Sequence, residues 1–446
     1  MSRKFGTDGI RGKAGVMLTP ELAYRLGLAA AVALSDKGKE KSTILIGKDT
    51  RISGDMLESA LAAGLVAAGV DVVLLGVIPT PGVAALLRHL HGDAAAVISA
   101  SHNPYYDNGI KFFARGGYKL PDEVEDQLEA LMDDPQAIPR ATDGRIGRIH
   151  MYPQAIETYA GLLLQQQSPD LQGMKIALDC ANGASYQLMP ALLRRLGAEV
   201  TVCGDRPNGV NINDHCGSTH LAALQKLVLQ EKADLGLAFD GDADRLLAID
   251  ETGEEVDGDH LLAIIATWLK EQDMLTANRI VVTQMSNMGL KLAMEKIGVE
   301  VEDTKVGDRY VLERMLATGA AAGGEQSGHL ILSHYNTTGD GPAAALQLLR
   351  IIREYKKPLS QLKGIMERLP QVLVNVKVAQ KEGWQEKEAI RQAIAAGEAD
   401  LNGQGRILLR PSGTEPVIRV MAEGRDLALL ESVVDRIARA VDASLN

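Results

Sequence analysis

The chain has 446 residues, of which 46% are apolar and 24% charged, the balance of a folded globular protein too long for one hydrophobic core and suited to roughly three or four domains. Its net charge of -11, with no Lys/Arg block, gives no footprint for nucleic acid, so an anionic substrate would need a local cationic pocket. Cys180, Cys203 and Cys216 are odd in number and widely spaced, matching neither a zinc pattern nor a disulfide framework, and read as small buried thiols. With no apolar targeting core at the N-terminus and no run long enough to span a bilayer, the expectation is a cytoplasmic protein with no membrane partner.

Helical and strand patterns alternate from the start, the signature of α/β architecture. Ala23 to Leu34 reads as a helix, Thr43 to Gly47 as a strand, Met56 to Ala68 as a helix, and Val72 to Leu75 and Ala94 to Ile98 as strands. A polar stretch from Asp133 to Gly147 reads as a loop before a boundary near residue 150. The next unit predicts a helix from Pro153 to Gln167, strands Lys175 to Asp179 and Glu199 to Cys203, and a long loop from Asp205 to Gly217. Thr219 is expected to cap the helix that follows, and the strand Asp234 to Phe239 delivers Asp240. A third unit runs from about Gly258, with strands Arg279 to Thr283, Val299 to Asp303 and Leu330 to Leu332 among helices ending at Tyr355. Beyond Pro370 the alternating strand Val372 to Val378, two more strands and a last helix from Leu427 to Val441 form a small α+β domain. The expected plan is therefore three similar α/β domains with mixed sheets, 1–150, 151–254 and 255–369, and a smaller C-terminal α+β domain, 370–446.

Four segments carry potential chemistry. Ala96 to Pro104 ends an apolar run in Ser99, Ser101 and His102, where either serine could be reactive, and Pro104 keeps the following loop open. Asp240-Gly241-Asp242-Ala243-Asp244-Arg245 places three carboxylates at alternate positions. Charges so close repel unless a cation lies among them, and oxygen-only ligands suit Mg²⁺ or Ca²⁺. The calcium-loop pattern fails because Arg245 stands where its glycine is needed. Arg410-Pro411-Ser412-Gly413-Thr414-Glu415-Pro416, with Arg419 beyond, has the makeup of a phosphate cradle, and Arg11 and Lys111 supply further cations. Gly324 to His329 offers short polar side chains between glycines, suited to sugar hydroxyls.

Together these segments resemble the α-D-phosphohexomutase family over nearly the whole chain, from Phe5 to Arg419. The matching motifs are Gly6-Thr7-Asp8-Gly9-Ile10-Arg11-Gly12, Ala100-Ser101-His102-Asn103-Pro104 with Asp107-Asn108-Gly109-Ile110-Lys111, Asp240 to Arg245, and Arg410 to Pro416. Glu325-Gln326-Ser327-Gly328-His329 looks like the family's glucosamine branch. The resemblance implies that Ser101 carries a phosphoryl group and, with Asp240, Asp242 and Asp244, holds Mg²⁺. It implies that Arg11, His102, Lys111 and Arg245 serve the transfer, with acid/base duty open among His102, Lys111 and Arg11. Glu325, Ser327 and His329 would select the sugar, while Arg410, Ser412, Thr414 and Arg419 anchor its phosphate. The implied activity interconverts glucosamine 6-phosphate and glucosamine 1-phosphate through a glucosamine 1,6-bisphosphate intermediate, with glucose 1,6-bisphosphate as an activator, supplying UDP-N-acetylglucosamine and cell-wall precursors. The rivals are a hexose mutase of the same family, a Mg²⁺ phosphatase using Asp240 as nucleophile, and a phosphosugar-binding sensor. A homodimer is a family expectation.

Overall fold

The computed structural model describes residues 5–6, 9–36, 38–39, 41–412 and 416–446. The chain divides into two compact units, Met1–Met285 with Val299–Ile365, and Ser286–Gly298 with Met366–Asn446. Among the described residues, no helix is long and apolar enough to cross a membrane.

The first unit contains three mixed sheets that repeat one pairing plan. In the first, Thr43–Lys48 lies parallel to both Asp71–Val77 and Ala94–Ile98, and Asp107–Ala114 returns antiparallel beside Ala94–Ile98. In the second, Lys175–Asp179 lies between parallel Glu199–Cys203 and Leu235–Phe239, with Leu246–Asp250 returning. In the third, Arg279–Thr283 lies between Glu300–Thr304 and Ala322–Gly324, with Leu330–Leu332 returning. The segments 99–106, 240–245 and 325–329 therefore occupy one equivalent place, the link from the carboxyl end of a parallel strand to its antiparallel return. Ligands gather at such strand ends.

Burial explains why the supporting layers form. The strand Ala94–Ile98 is buried throughout, and the strand Leu235–Phe239 likewise, as expected of apolar runs covered on both faces. The helices Pro20–Ala33 and Gly54–Ala67 meet backbone to backbone at Gly27 and Gly64. A Cβ on Gly27 would lie 2.3 Å from the Leu61 carbonyl oxygen, and one on Gly64 2.2 Å from that of Tyr24. Thr19 starts the first helix by accepting a hydrogen bond from the Leu22 N–H.

Several expectations need correction. The motif segment Asp107 to Lys111 begins the eight-residue strand Asp107–Ala114, which buries Asn108 completely. The Asn108 amide meets the local N–H of Gly109 and the Ser53 hydroxyl at 2.8 Å each, so turn-forming residues are satisfied inside a strand. Helices at Thr80–His89 and Asp122–Asp133 were not anticipated. Thr219 does not cap a helix. It ends a 3-10 turn, and the helix Ala222–Glu231 begins after Leu221, with no side-chain cap.

The second unit is an antiparallel sheet in the order Gln371–Lys377, Val417–Gly424, Gly405–Pro411. Ile390, Ile418, Val420, Leu430, Val433 and Ile437 form its core with the helices Glu388–Leu401 and Leu427–Leu445. It also contains the helix Met288–Lys296. Fully buried Glu423 accepts from the Met288 N–H at 2.7 Å and from Arg406 Nε at 2.6 Å.

Candidate active site

Two of the equivalent links in the first unit meet at Ser101. Its Oγ donates to Asp240 Oδ2 at 2.6 Å, and the residue is 2% exposed. The local structure also separates the two candidate serines. Ser99 Oγ donates to Asp49 Oδ2 at 2.5 Å and accepts from the Ser101 N–H at 2.9 Å, so Ser99 supports the turn while Ser101 faces the carboxylates. Ser101 has φ +51°, a left-handed conformation uncommon for serine.

Asp240, Asp242 and Asp244 bring one carboxylate oxygen each to within 4.8 Å of the others, all three buried. Asp242 Oδ2 accepts from Lys111 Nζ at 3.0 Å and from Thr80 Oγ1 at 2.6 Å. Lys111 Nζ also lies 3.8 Å from Asp244 Oδ2, and Arg245 Nε 4.0 Å from Asp244 Oδ1. Burial, and then the charges of Asp244 and Asp242, push the Asp240 carboxyl well above the usual carboxylate range. Burial opposes ionisation of Asp242 too, but Lys111 and Thr80 outweigh it and hold this carboxyl below that range. Among the described residues, Asp242 Oδ1 and Asp244 Oδ1 are buried without a hydrogen-bond partner. Two orphaned hard oxygens beside a carboxyl destabilised by its neighbours fit a small divalent cation, which supplies the missing partner and reverses the repulsion.

The surrounding groups fall into distinct environments. His102 Nδ1 lies 3.4 Å from Ser101 Oγ. Burial first, and then Arg245 and Arg11, push His102 down to about 4, so its imidazole is neutral near pH 7. Arg11 stands on the strand Ile10–Lys13 opposite Gly109, whose missing side chain leaves room for the Arg11 stem. The third link joins the same cluster through backbone pairing, with Leu246 N–H donating to the Gly328 carbonyl at 3.0 Å and Arg245 bridged to His329. In that link Glu325 is half-buried and Ser327 exposed, their side chains 3.4 Å apart. His329 is placed differently. It is 3% exposed, with Nδ1 3.5 Å from Asp244 and Nε2 3.3 Å from Asp308. Burial works against its charge, yet Asp244 and Asp308 outweigh it and raise His329 to about 9.

In the second unit Arg410 and Arg419 stand directly opposite in the sheet, a like-charged pair that disfavours pairing unless an anion lies between. Burial and Arg419 both lower the Arg410 pKa. Ser412 is buried, and Lys381 Nζ donates to its carbonyl at 2.8 Å. Thr414 lies outside the described residues. Sequence reasoning missed Lys381 and Thr80. Only the Pro79-Thr80-Pro81 string signalled Thr80, as a helix start with proline in its first turn.

Repeated α/β sheets whose strand-end links gather a serine, a carboxylate trio and cations define a multidomain α/β enzyme. Models of the phosphoglucomutase/phosphomannomutase family match in four consecutive parts: alpha/beta/alpha domain I over residues 2–138, domain II over 151–253, domain III over 257–369 and the C-terminal domain over 373–440. The phosphoglucosamine mutase of Desulforamulus reducens is 55% identical over 442 residues, 99% of each chain. Among solved structures, a phosphoglucomutase/phosphomannomutase family protein from Burkholderia thailandensis superposes with TM-score 0.81 at 24% identity, over 100% of this chain and 99% of that one. The Aspergillus fumigatus N-acetylphosphoglucosamine mutase, solved in complex with GlcNAc-6P and magnesium, gives TM-score 0.70 at 17% identity over 99% and 96%. The chain belongs to the phosphoglucomutase/phosphomannomutase family.

Proposed function

We propose that this enzyme interconverts glucosamine 6-phosphate and glucosamine 1-phosphate by way of a phosphoryl group carried on Ser101. The observation that carries the reading is the Ser101 hydroxyl 2.6 Å from Asp240 within a buried carboxylate trio. Full-length identity of 55% to a phosphoglucosamine mutase supports the choice of sugar. In the first half-reaction the P–Oγ bond of phospho-Ser101 breaks as a bond forms from phosphorus to O1 of glucosamine 6-phosphate, and the O1 proton leaves. The 1,6-bisphosphate then turns round, its P–O6 bond breaks as a bond forms from phosphorus to Ser101 Oγ, O6 takes up the proton, and glucosamine 1-phosphate leaves. One serine serves both halves because the intermediate reorients.

Asp240, Asp242 and Asp244, with an oxygen on Ser101, would hold Mg²⁺, which neutralises charge on the phosphoryl oxygens when bound. Lys111 and Arg245 sit among the carboxylates and offset charge gathering there. Of the three acid/base candidates, this reading favours His102. Lys111 is engaged by Asp242 and Asp244, Arg11 is a guanidinium that stays charged, and His102 is neutral beside Ser101 Oγ with a nitrogen lone pair for the departing proton. Glu325 and Ser327 present polar groups suited to sugar hydroxyls. Buried His329, between Asp244 and Asp308, is suited to orienting Asp244. Arg410, Ser412, Thr414 and Arg419 would hold the non-reacting phosphate. The domain plan 1–150, 151–254, 255–369 and 370–446 assigns one of these tasks to each part.

The test is a panel of hexose and hexosamine 6-phosphates assayed with Mg²⁺ and glucose 1,6-bisphosphate, product being followed by ³¹P NMR. The reading expects glucosamine 6-phosphate to give its 1-phosphate at the highest kcat/KM. Preference for mannose or glucose 6-phosphate overturns the choice of sugar, and release of inorganic phosphate alone overturns the mutase reading.

A further inference from the structure

Resting on the reading above, we infer that Arg51 and Asn213 are positioning residues that together set the Ser101 hydroxyl for phosphoryl transfer. Arg51 is 3% exposed and is itself fixed by Asp49, which accepts from its Nε and from its backbone N–H at 2.9 Å each. The outer guanidinium nitrogen Nη2 donates to the carbonyls of Ser101 at 2.9 Å and Asn103 at 2.8 Å, while Nη1 donates to the Pro104 carbonyl. Asn213 Nδ2 donates to the same two carbonyls, Ser101 at 2.9 Å and Asn103 at 3.0 Å. Each of these carbonyl oxygens thus receives one hydrogen from Arg51 and one from Asn213, filling both lone pairs.

The clamp explains an otherwise costly conformation. A left-handed turn disfavours a residue with a Cβ, and Ser101 adopts one at φ +51°. Fixing the carbonyls of residues 101 and 103 fixes the 101–102 and 103–104 peptide planes, on either side of the His102-Asn103 pair. With the Ser101 N–H held by Ser99 Oγ at 2.9 Å, the peptide planes before and after the Ser101 Cα are both set, and its Cα–Cβ direction follows. Space around the clamp is equally restricted, since a Cβ on Gly241 would lie 2.6 Å from the Ser101 carbonyl oxygen and 2.8 Å from Asn213 Nδ2.

The two jaws come from different sheets of the first unit. Arg51 follows the strand Thr43–Lys48, whereas Asn213 lies in the long Gly-, Asn- and Asp-rich segment 205–217, which the chemistry above leaves unused. That segment is tied down for the purpose. Fully buried Asp179 accepts from the N–H groups of Ala181 and Gly217 at 2.9 and 2.7 Å, and Asn182 Nδ2 donates to the Asn211 carbonyl at 3.2 Å. Thr50 Oγ1 joins the jaws by donating to the Asn182 carbonyl at 2.6 Å. Asn213 has φ +58°, which asparagine tolerates better than most residues, and its N–H donates to the Ala181 carbonyl at 2.9 Å.

The experiment compares wild type with Asn213→Ala, Asn213→Asp and Arg51→Lys. It measures kcat and KM for glucosamine 6-phosphate, the rate at which glucose 1,6-bisphosphate phosphorylates Ser101 by intact mass, and the thermal midpoint. Misplacement of a reacting group by about 1 Å costs on the order of 100-fold. Asn213→Ala is therefore expected to lower kcat and the Ser101 phosphorylation rate together by 10- to 100-fold, with KM within about twofold. Asn213→Asp is expected to fall further than Ala, because it keeps the shape but turns an acceptor towards two carbonyls. Arg51→Lys keeps its charge beside Asp49, loses the fork, and is expected to lower kcat in the same way. Wild-type kcat and Ser101 phosphorylation in Asn213→Asp overturn the inference, as does a loss confined to KM or the thermal midpoint. A wild-type enzyme whose Ser101 accepts no phosphoryl group overturns the functional reading, and this inference with it.

Discussion

Replacing Lys111 with Met tests how the carboxylate trio is kept folded. The Lys111 ammonium is buried at 3.0 Å from Asp242 and 3.8 Å from Asp244, and methionine keeps most of its stem volume while removing the charge. Breaking a buried ion pair by deleting one partner costs about 3–5 kcal/mol, because the other charge is left uncompensated. Unfolding entropy of about 2.1 cal/mol/K per residue makes each kcal/mol worth roughly 1 °C in a chain this long. The thermal midpoint in EDTA is therefore expected to fall by about 3–5 °C relative to wild type. Saturating Mg²⁺ supplies a second cation to the same oxygens, so the difference is expected to shrink to less than half. Paired thermal scans of both proteins, with EDTA and with Mg²⁺, measure this directly. Equal losses under the two conditions, or no loss in EDTA, would refute the electrostatic account of the trio.

Three further outcomes follow from the same geometry. Asp240→Asn removes a carboxylate that burial and its neighbours disfavour. It is expected to raise the thermal midpoint of the metal-free protein while abolishing the response of that midpoint to Mg²⁺. Thr80→Val deletes the 2.6 Å hydrogen bond to Asp242 and is expected to weaken Mg²⁺ binding by about 10- to 100-fold in calorimetric titration, the usual cost of losing a partner that orients a metal ligand. Asp250 accepts from Lys363 Nζ at 2.6 Å and from the Thr252 and Glu254 N–H groups. Burial works against its charge, but these partners prevail and hold its carboxyl below the usual range. The stability it supplies is present above the unfolded carboxylate value of about 3.9 and is lost as pH falls through its lowered folded value. Asp250→Asn is thus expected to cost about 2 kcal/mol in denaturant unfolding at pH 7, the gap from wild type narrowing below about pH 4.

What could be read from the sequence follows from how local each signal is. The buried runs Ala94 to Ile98 and Leu235 to Phe239 announce their strands, and Asp240 to Arg245 announces a cation site because its carboxylates are neighbours in the chain. Lys111 was legible only as a cation of unknown direction. The strand Asp107–Ala114 that aims it at Asp242 was hidden by Asn108 and Gly109, whose turn preference is overridden by the hydrogen bond to Ser53 and by antiparallel pairing with the strand Ile10–Lys13. The choice between Ser99 and Ser101 depends on Asp49, about 50 residues away, and no local pattern contains it. Asn213 was hidden for a similar reason, since a Gly- and Asn-rich segment looks like any surface loop until its amide meets the Ser101 carbonyl. The expected roles of His329 rested on its place beside Glu325 and Ser327, whereas tertiary packing turns it inward between two carboxylates.

The central claim is that Ser101 carries the phosphoryl group. Incubating the Mg²⁺-loaded protein with glucose 1,6-bisphosphate and mapping the modified peptide by mass spectrometry tests it directly. The account predicts one phosphoryl group on Ser101, discharged on adding glucosamine 6-phosphate, with Ser101→Ala taking up none and losing mutase activity. A Ser101→Ala protein that retains full activity, or a phosphoryl group found on Asp240 instead, would contradict it.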